Sequence, residues 1–166
     1  MDWNAIGAIG EILGAVAVVA TLGYLAVQTR HSVAATQAHT RQAMLESDQQ
    51  FLTLLMVDPT IDVIRWKRDL ADDEKVKLGF FLVTFARMRE SNWLQFHSGG
   101  LDRETWESYR ASIPVVMNNP NGRSWWRNYV KARGLLSKGF VSEVDILLEQ
   151  TPVLEQSPML SAFDGE

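Results

Sequence analysis

The chain has 166 residues, enough for one membrane span and one domain of ordinary size. Its formal net charge is −4, of which Asp2 and Glu11 supply −2, so the part from Gln28 onward is nearly neutral and carries no general electrostatic footprint for nucleic acid. Cysteine is absent, which excludes disulfides, thiolate metal sites and cysteine nucleophiles.

The first element is an apolar run over residues 5–27, interrupted by a single charge, Glu11. As a helix it spans roughly 34 Å, enough to cross a bilayer core with some tilt. Residues 1–28 therefore read as a transmembrane segment. The residues ahead of the run contain no base and the run is span-length, so it is expected to be retained rather than cleaved as a signal peptide. The first bases, Arg30 and Arg41, lie on its C-terminal side. The positive-inside rule then places the N-terminus outside and the remainder in the cytoplasm, at the inner membrane of a bacterial cell. Trp3, Tyr24 and Arg30 suit the two membrane interfaces.

On a helical wheel Gly7, Gly10, Glu11, Gly14, Val18, Thr21, Leu25 and Gln28 share an arc of about 100°, opposite Ile6, Ile9, Leu13, Val16, Ala20 and Val27. One face is small or polar and the other suits lipid. Small residues let backbones approach closely where apolar burial between helices gains little, which marks the glycine face for helix association. Glu11 lies roughly 9 Å inside the apolar boundary, where an ionised carboxylate is costly and ionisable groups mark pairs, relays or pathways. Three readings stay open: a lock between helices, a pore lined by Glu11, Val18, Thr21 and Gln28, or pairing with a cation in another membrane protein.

Residues 29–58 read as a helical stalk, polar and alanine-rich at first. Met44, Leu45, Phe51, Leu52 and Leu55 then form an apolar stripe that needs a partner. Pro59 ends it. Residues 59–150 read as a bundle of about five helices. A short helix is expected near 61–70, then a longer one capped by Asp72, Asp73 and Glu74 and stopped by Gly99 and Gly100. Its apolar stretch 78–86 is too short for a second span and suits a buried core helix. Asp102 caps the next helix, which Pro114 is expected to end or kink. Residues 118–122 read as a turn, 123–133 as a helix closed by Gly134, and Ser142 with Asp145 as the capping box of a last helix ending near Gln150. Residues 151–166, with two prolines and few large apolar side chains, are expected to form a flexible tail.

Four stretches together resemble a widespread family of small bacterial membrane proteins: residues 3–30 for its span and following Arg, then GLDRETWESYR from Gly100, NPNGRSWWRNY from Asn119 and GFVSEVDILL from Gly139 for its soluble helices. The resemblance implies an N-terminal span followed by a helical cytoplasmic domain. That family carries no assigned activity, so no residue role follows from it.

The remaining signals point away from catalysis. His31, His39 and His97 lack metal-ligand spacing, and no P-loop, dinucleotide glycine pattern or nucleophile elbow is present, so no cofactor, metal or enzymatic activity is expected. The aromatic residues sit at helical spacings and read as core, and Arg123, Arg127, Lys131 and Arg133 read as a solvated helix face. The chain is thus expected to be all-α. It is read as a single-span scaffold that meets the bilayer and copies of itself through the Gly/Glu11 face, with an ion-conducting homo-oligomer and an accessory subunit of a larger complex as alternatives.

Overall fold

The computed structural model describes residues 3–158 and 162, with the side chains of residues 3–10 and 12 outside that description. The protein is all-helical, with no strand among the described residues. Six helices follow in order: α1 Trp3–Val57, α2 Thr60–Trp66, α3 Asp72–His97, α4 Arg103–Met117, α5 Pro120–Trp125 and α6 Lys138–Gln150. A π-helical turn, Trp126–Lys131, extends α5. The chain divides into two compact units, Met1–Arg41 and Gln42–Glu166.

Among its described residues the first unit is helix alone. No proline and no glycine interrupts the chain between Gly23 and Pro59, and α1 accordingly runs unbroken for 55 residues. Over its described part, Leu13–Val57, it is long and apolar enough to cross a membrane by length and composition. Every described side chain from 13 to 36 is exposed. Threonine hydroxyls on α1 turn back onto carbonyls one turn earlier, Thr21 Oγ1 to Ala17 O and Thr29 Oγ1 to Leu25 O, both at 2.8 Å. These polar groups are satisfied inside their own helix.

The second unit has a continuous apolar core. Leu82, Phe85 and Ala86 of α3 meet Ile113 and Met117 of α4, Val130 of the π turn, and Phe140 and Val144 of α6. Met44 and Phe51, at the C-terminal end of α1, join that core. Phe51 stacks on Phe81 with ring centroids 5.1 Å apart and lies 5.9 Å from Phe85, and Leu55 packs against the same core, so Met44, Phe51 and Leu55 of the stripe find their partners within the same unit. Leu45 and Leu52 of that stripe remain exposed.

Several helix ends differ from the sequence expectation, and at one of them, the start of α6, a distant residue intervenes. At the start of α3 the N-cap is Ala71, not an aspartate, and the Glu74 carboxylate reaches back to accept from Ala71 N at 2.9 Å. Asp102 caps α4 as expected, accepting from Thr105 N at 2.9 Å. Pro114 does not end α4, which continues to Met117, because the missing N–H costs one bond while the next turn still closes from Asn118 N to Pro114 O at 2.9 Å. Residues 118–122 are a helix start rather than a free turn: Asn119 Oδ1 accepts from Gly122 N and Pro120 occupies the first helical position. Gly134 closes the following segment at φ 60°, a conformation that glycine adopts without steric cost. The start of α6 is Ser137 instead of Ser142, since the Glu90 carboxylate, brought over by α3, accepts from Ser137 N at 2.6 Å.

Candidate functional site

The arc singled out in the sequence lies on α1. Trp3, Gly7 and Gly10 fall where no side-chain surroundings are described. Glu11, Val18, Tyr24, Gln28 and Arg30 are exposed, and a Cβ added at Gly14 would meet nothing within 4 Å. Thr21 is exposed with its hydroxyl bonded to Ala17 O. Glu11, Gly14, Val18, Thr21 and Gln28 share that arc, and among the described residues no element of their own unit packs over it. For a row of Leu and Val interleaved with small residues, that absence of cover is the physical problem the rest of the molecule must answer.

Within the bundle the chemistry-bearing side chains are paired with one another. Arg89 is almost fully buried: its Nη2 donates to Asp48 Oδ1 at 2.6 Å, and its guanidinium lies 5.1 Å from the Phe85 ring centroid and 4.8 Å from that of Tyr109. This ties the C-terminal part of α1 to α3 and α4. Burial pushes the Tyr109 phenol up, Asp48 adds to that effect and Arg89 opposes it. Asp48 sits one turn before Phe51, so ion pair and aromatic stack act on the same stretch of α1. Sequence reasoning missed Arg89 because the isolated helix reads it as a flanking base; only the i+4 spacing from Phe85 hinted at stacking.

A second polar cluster lies around Asn118. Its Nδ2 donates to Thr151 O at 3.0 Å and to Pro152 O at 2.9 Å, its Oδ1 accepts from Arg123 Nε at 2.5 Å, and its carbonyl accepts from Leu154 N at 2.7 Å. Arg123 also donates to Leu148 O. Asn121 Nδ2 donates to Arg65 O at 3.1 Å and Lys67 O at 2.9 Å, holding the C-terminal end of α2. Residues 151–157, expected from composition to be a flexible tail, are thus hydrogen-bonded to the bundle, and Ser157 is buried. Nearby, partial burial pushes the Asp62 carboxyl up, but the Ser157 hydroxyl, Arg65 and Trp66 together outweigh this and hold it below the usual carboxylate range. Neither Ser157 Oγ nor Trp66 Nε1 completes a regular hydrogen bond, so proximity of their dipoles favours the charged form.

A groove of about 180 Å³ opens between the π turn and α6, lined by Arg123, Trp126, Arg127, Lys131, Asp145, Leu148 and Glu149. Lys131 Nζ donates to Asp145 Oδ2 at 2.6 Å and Trp126 Nε1 donates to Asp145 Oδ1 at 2.9 Å. With Arg123 engaged by Asn118 and Leu148, the basic run 123–133 is largely answered from within the fold. Such a groove lacks a nucleophile beside a base. The aromatic residues otherwise serve packing: Phe96 stacks on Trp106 at 5.9 Å, and Trp93 lies 6.3 Å from Phe140. Among the described residues no three His, Asp or Glu side chains gather as a metal site. No family model matches the chain, and no curated protein or solved structure matches it either.

Proposed function

We propose that this is a single-span membrane protein whose α1 associates with copies of itself through the Gly7, Gly10, Glu11, Gly14 face, holding a non-enzymatic helical domain at the membrane as a scaffold. One observation carries the reading: the apolar side chains of α1 from Leu13 to Val27 are exposed, whereas the bundle of the same chain closes its own core. In water that exposure would be very unfavourable, at about 25 cal/mol per Å² of apolar surface, and a bilayer removes it. Lipid covers Leu, Val and Ile but offers no partner for Glu11 and Gln28, and equivalent faces around a symmetry axis do. Arg30 and Arg41 orient the bundle to the cytoplasmic side of a bacterial inner membrane, the architecture of the bacterial proteins the chain resembles.

Assembly is the measurement that tests this. Purified protein in mild detergent is expected to sediment and scatter light as a homo-oligomer, and Gly14→Leu, which adds bulk where a second backbone would approach, is expected to dissociate it. A monomer, or an unchanged oligomer with Gly14→Leu, overturns self-association through this face. Conductance across a planar bilayer that Glu11→Gln alters would replace the scaffold by an ion pathway. Stoichiometric recovery of a different membrane protein would make the chain an accessory subunit.

A further inference from the structure

We propose that α1 carries a second association surface beyond its span-length run, the seam Leu45, Gln49, Leu52 and Met56, through which two copies of this chain pair as a short parallel coiled coil. The C-terminal part of α1 presents two apolar faces. Met44 and Phe51 are buried and Leu55 packs on the core, whereas Leu45, Leu52 and Met56 are each more than half exposed. On a helical wheel the exposed three fall with Gln49 in an arc of about 60°, turned about 100° from the buried face. Two contacts fix that rotation: Arg89 Nη2 donates to Asp48 Oδ1 at 2.6 Å, and Phe51 stacks on Phe81. Leu45 and Leu52 are thereby kept from rolling into the core. Leu54 and Val57 are exposed on a further face, but Ser47, Gln50 and Thr53 precede them there and no stripe forms.

The spacing 45, 49, 52, 56 alternates four and three residues, which sets Leu45 and Leu52 at d positions and Gln49 and Met56 at a positions of a heptad pattern. A polar residue at one a position, here Gln49, fixes the register of such a pair. In this register Arg41 occupies a g position and Glu46 an e position of the same unbroken helix. A g residue in a parallel pair meets the e residue five positions further on in the partner, so Arg41 of each copy meets Glu46 of the other. The charges are opposite, and the two-fold axis makes the pairing twice. On its own helix Glu46 Oε1 accepts from Gln42 Nε2 at 3.1 Å, which holds the carboxylate along the flank of the seam. The later g positions, Asp48 and Leu55, turn to Arg89 and to the core, so they bring no unanswered charge to the partner.

The occupant is a second copy because the seam is complementary to itself, the condition for a two-fold interface. The proposal rests on the reading of α1 as a span: copies inserted in one direction carry their α1 helices parallel, the orientation in which Arg41 and Glu46 meet. Two heptads are too few to associate from free solution, but chains already held together in a bilayer meet at a high effective concentration. The seam thus carries pairing from the membrane onto the soluble domain.

Disulfide trapping on the full chain in detergent micelles tests this, since the chain has no cysteine of its own to compete. Under mild oxidation Leu52→Cys is expected to form covalent dimer roughly tenfold faster than Gln50→Cys, an exposed position on the far side of the helix, because a disulfide needs Cα atoms within about 7 Å. In the Leu52→Cys chain, Arg41→Glu or Glu46→Arg alone is expected to slow trapping about fivefold by setting like charges at both symmetry-related sites, and the two together to restore it. Equal rates at positions 52 and 50 overturn the seam, and failure of the double reversal to restore trapping overturns the parallel register. If in native membranes the thiol at position 52 couples to a different protein and not to its own copy, self-pairing is overturned. Trapping that fails at position 52 while Gly14→Leu still dissociates the oligomer removes the seam and leaves association through the glycine face standing. Trapping that persists while Gly14→Leu changes nothing removes the glycine face and leaves the seam.

Discussion

Leu22 on α1 is 61 % exposed and Leu82 on α3 is 1 % exposed, and the same contrast separates Val19 at 69 % from Val144 at 0 %. Residue type and helical periodicity do not distinguish these positions. What differs is the surroundings: α3 lies among α2, α4 and the end of α1, whereas α1 before Arg41 has no neighbour within its unit. The bundle obtains its burial from its own chain, whereas the described side chains of α1 before residue 37 find no cover within their unit. An apolar helix is therefore read by its length: nine strongly apolar residues at 78–86 suit a core segment, and 23 at 5–27 are long enough to cross a membrane.

The sharpest way to break this contrast is to truncate one large side chain in each region. Phe85→Ala should destabilise the bundle by about 3–5 kcal/mol, through lost burial and the cavity left against Phe51 and Arg89. Leu22→Ala should leave bundle stability within about 0.5 kcal/mol, since nothing in its unit packs on it. Urea denaturation followed by tryptophan fluorescence reads both, and similar losses would mean that α1 draws its cover from the bundle after all.

Gly122→Ala probes how tightly the bundle is built. An added Cβ would stand 2.3 Å from the Met117 carbonyl oxygen, so backbone must shift, at a cost of about 1–3 kcal/mol. At Gly14 no atom lies within 4 Å, and Gly14→Ala should leave the thermal midpoint of the bundle unchanged.

Acid acts more gently. Lys77 and Thr60 hold the Asp58 carboxyl below its usual range, and Lys67 and the Ala71 amide do the same for Glu74; at Asp62 the surrounding dipoles and Arg65 overcome partial burial. A carboxyl with a lowered folded pKa stabilises above its unfolded value and loses that contribution as pH falls through the folded one. Stability measured by thermal melting should thus be level from about pH 7 to about pH 5 and decline below about pH 4, damped by solvent screening at these partly exposed groups. A rise in stability on acidification would reverse the assigned sign.

The smallest effect is expected at Thr21→Val. Because its hydroxyl already bonds Ala17 O, the change should alter oligomer dissociation by no more than about 0.5 kcal/mol, measured by dilution in detergent. A large loss would show that Thr21 bonds across helices in the assembly.

Much of the architecture was legible because it depends on neighbours in sequence. The unbroken run to Pro59, the Asp102 cap, the stop at Gly99 and Gly100 and the closure at Gly134 all follow from backbone rules acting over one or two turns. Of the misread ends, Ala71 and Asn119 are closed by partners three residues on, Glu74 and Gly122, whereas Ser137 has another origin. At Ser137 the capping oxygen comes from Glu90, 47 residues away, and no local pattern contains it. Pro114 lies inside α4 rather than at its end, and the following turn closes from Asn118 N to Pro114 O.

For the candidate site the division is similar. Periodicity alone places Glu11, Gly14, Thr21 and Gln28 on one arc of α1, since a helix makes angular position a function of residue number. By itself, then, the amino-acid order determined an all-helical chain, one span-length helix and the arc of that helix on which its small and polar residues fall. Tertiary structure decided that Arg89 is buried between Phe85 and Tyr109 against Asp48, that Asn118 grips residues 151–154, and that the basic groove is answered by Asp145. Each of those contacts joins residues at least 14 positions apart or depends on a pair that does, and a long-range contact exists only once the intervening chain has closed.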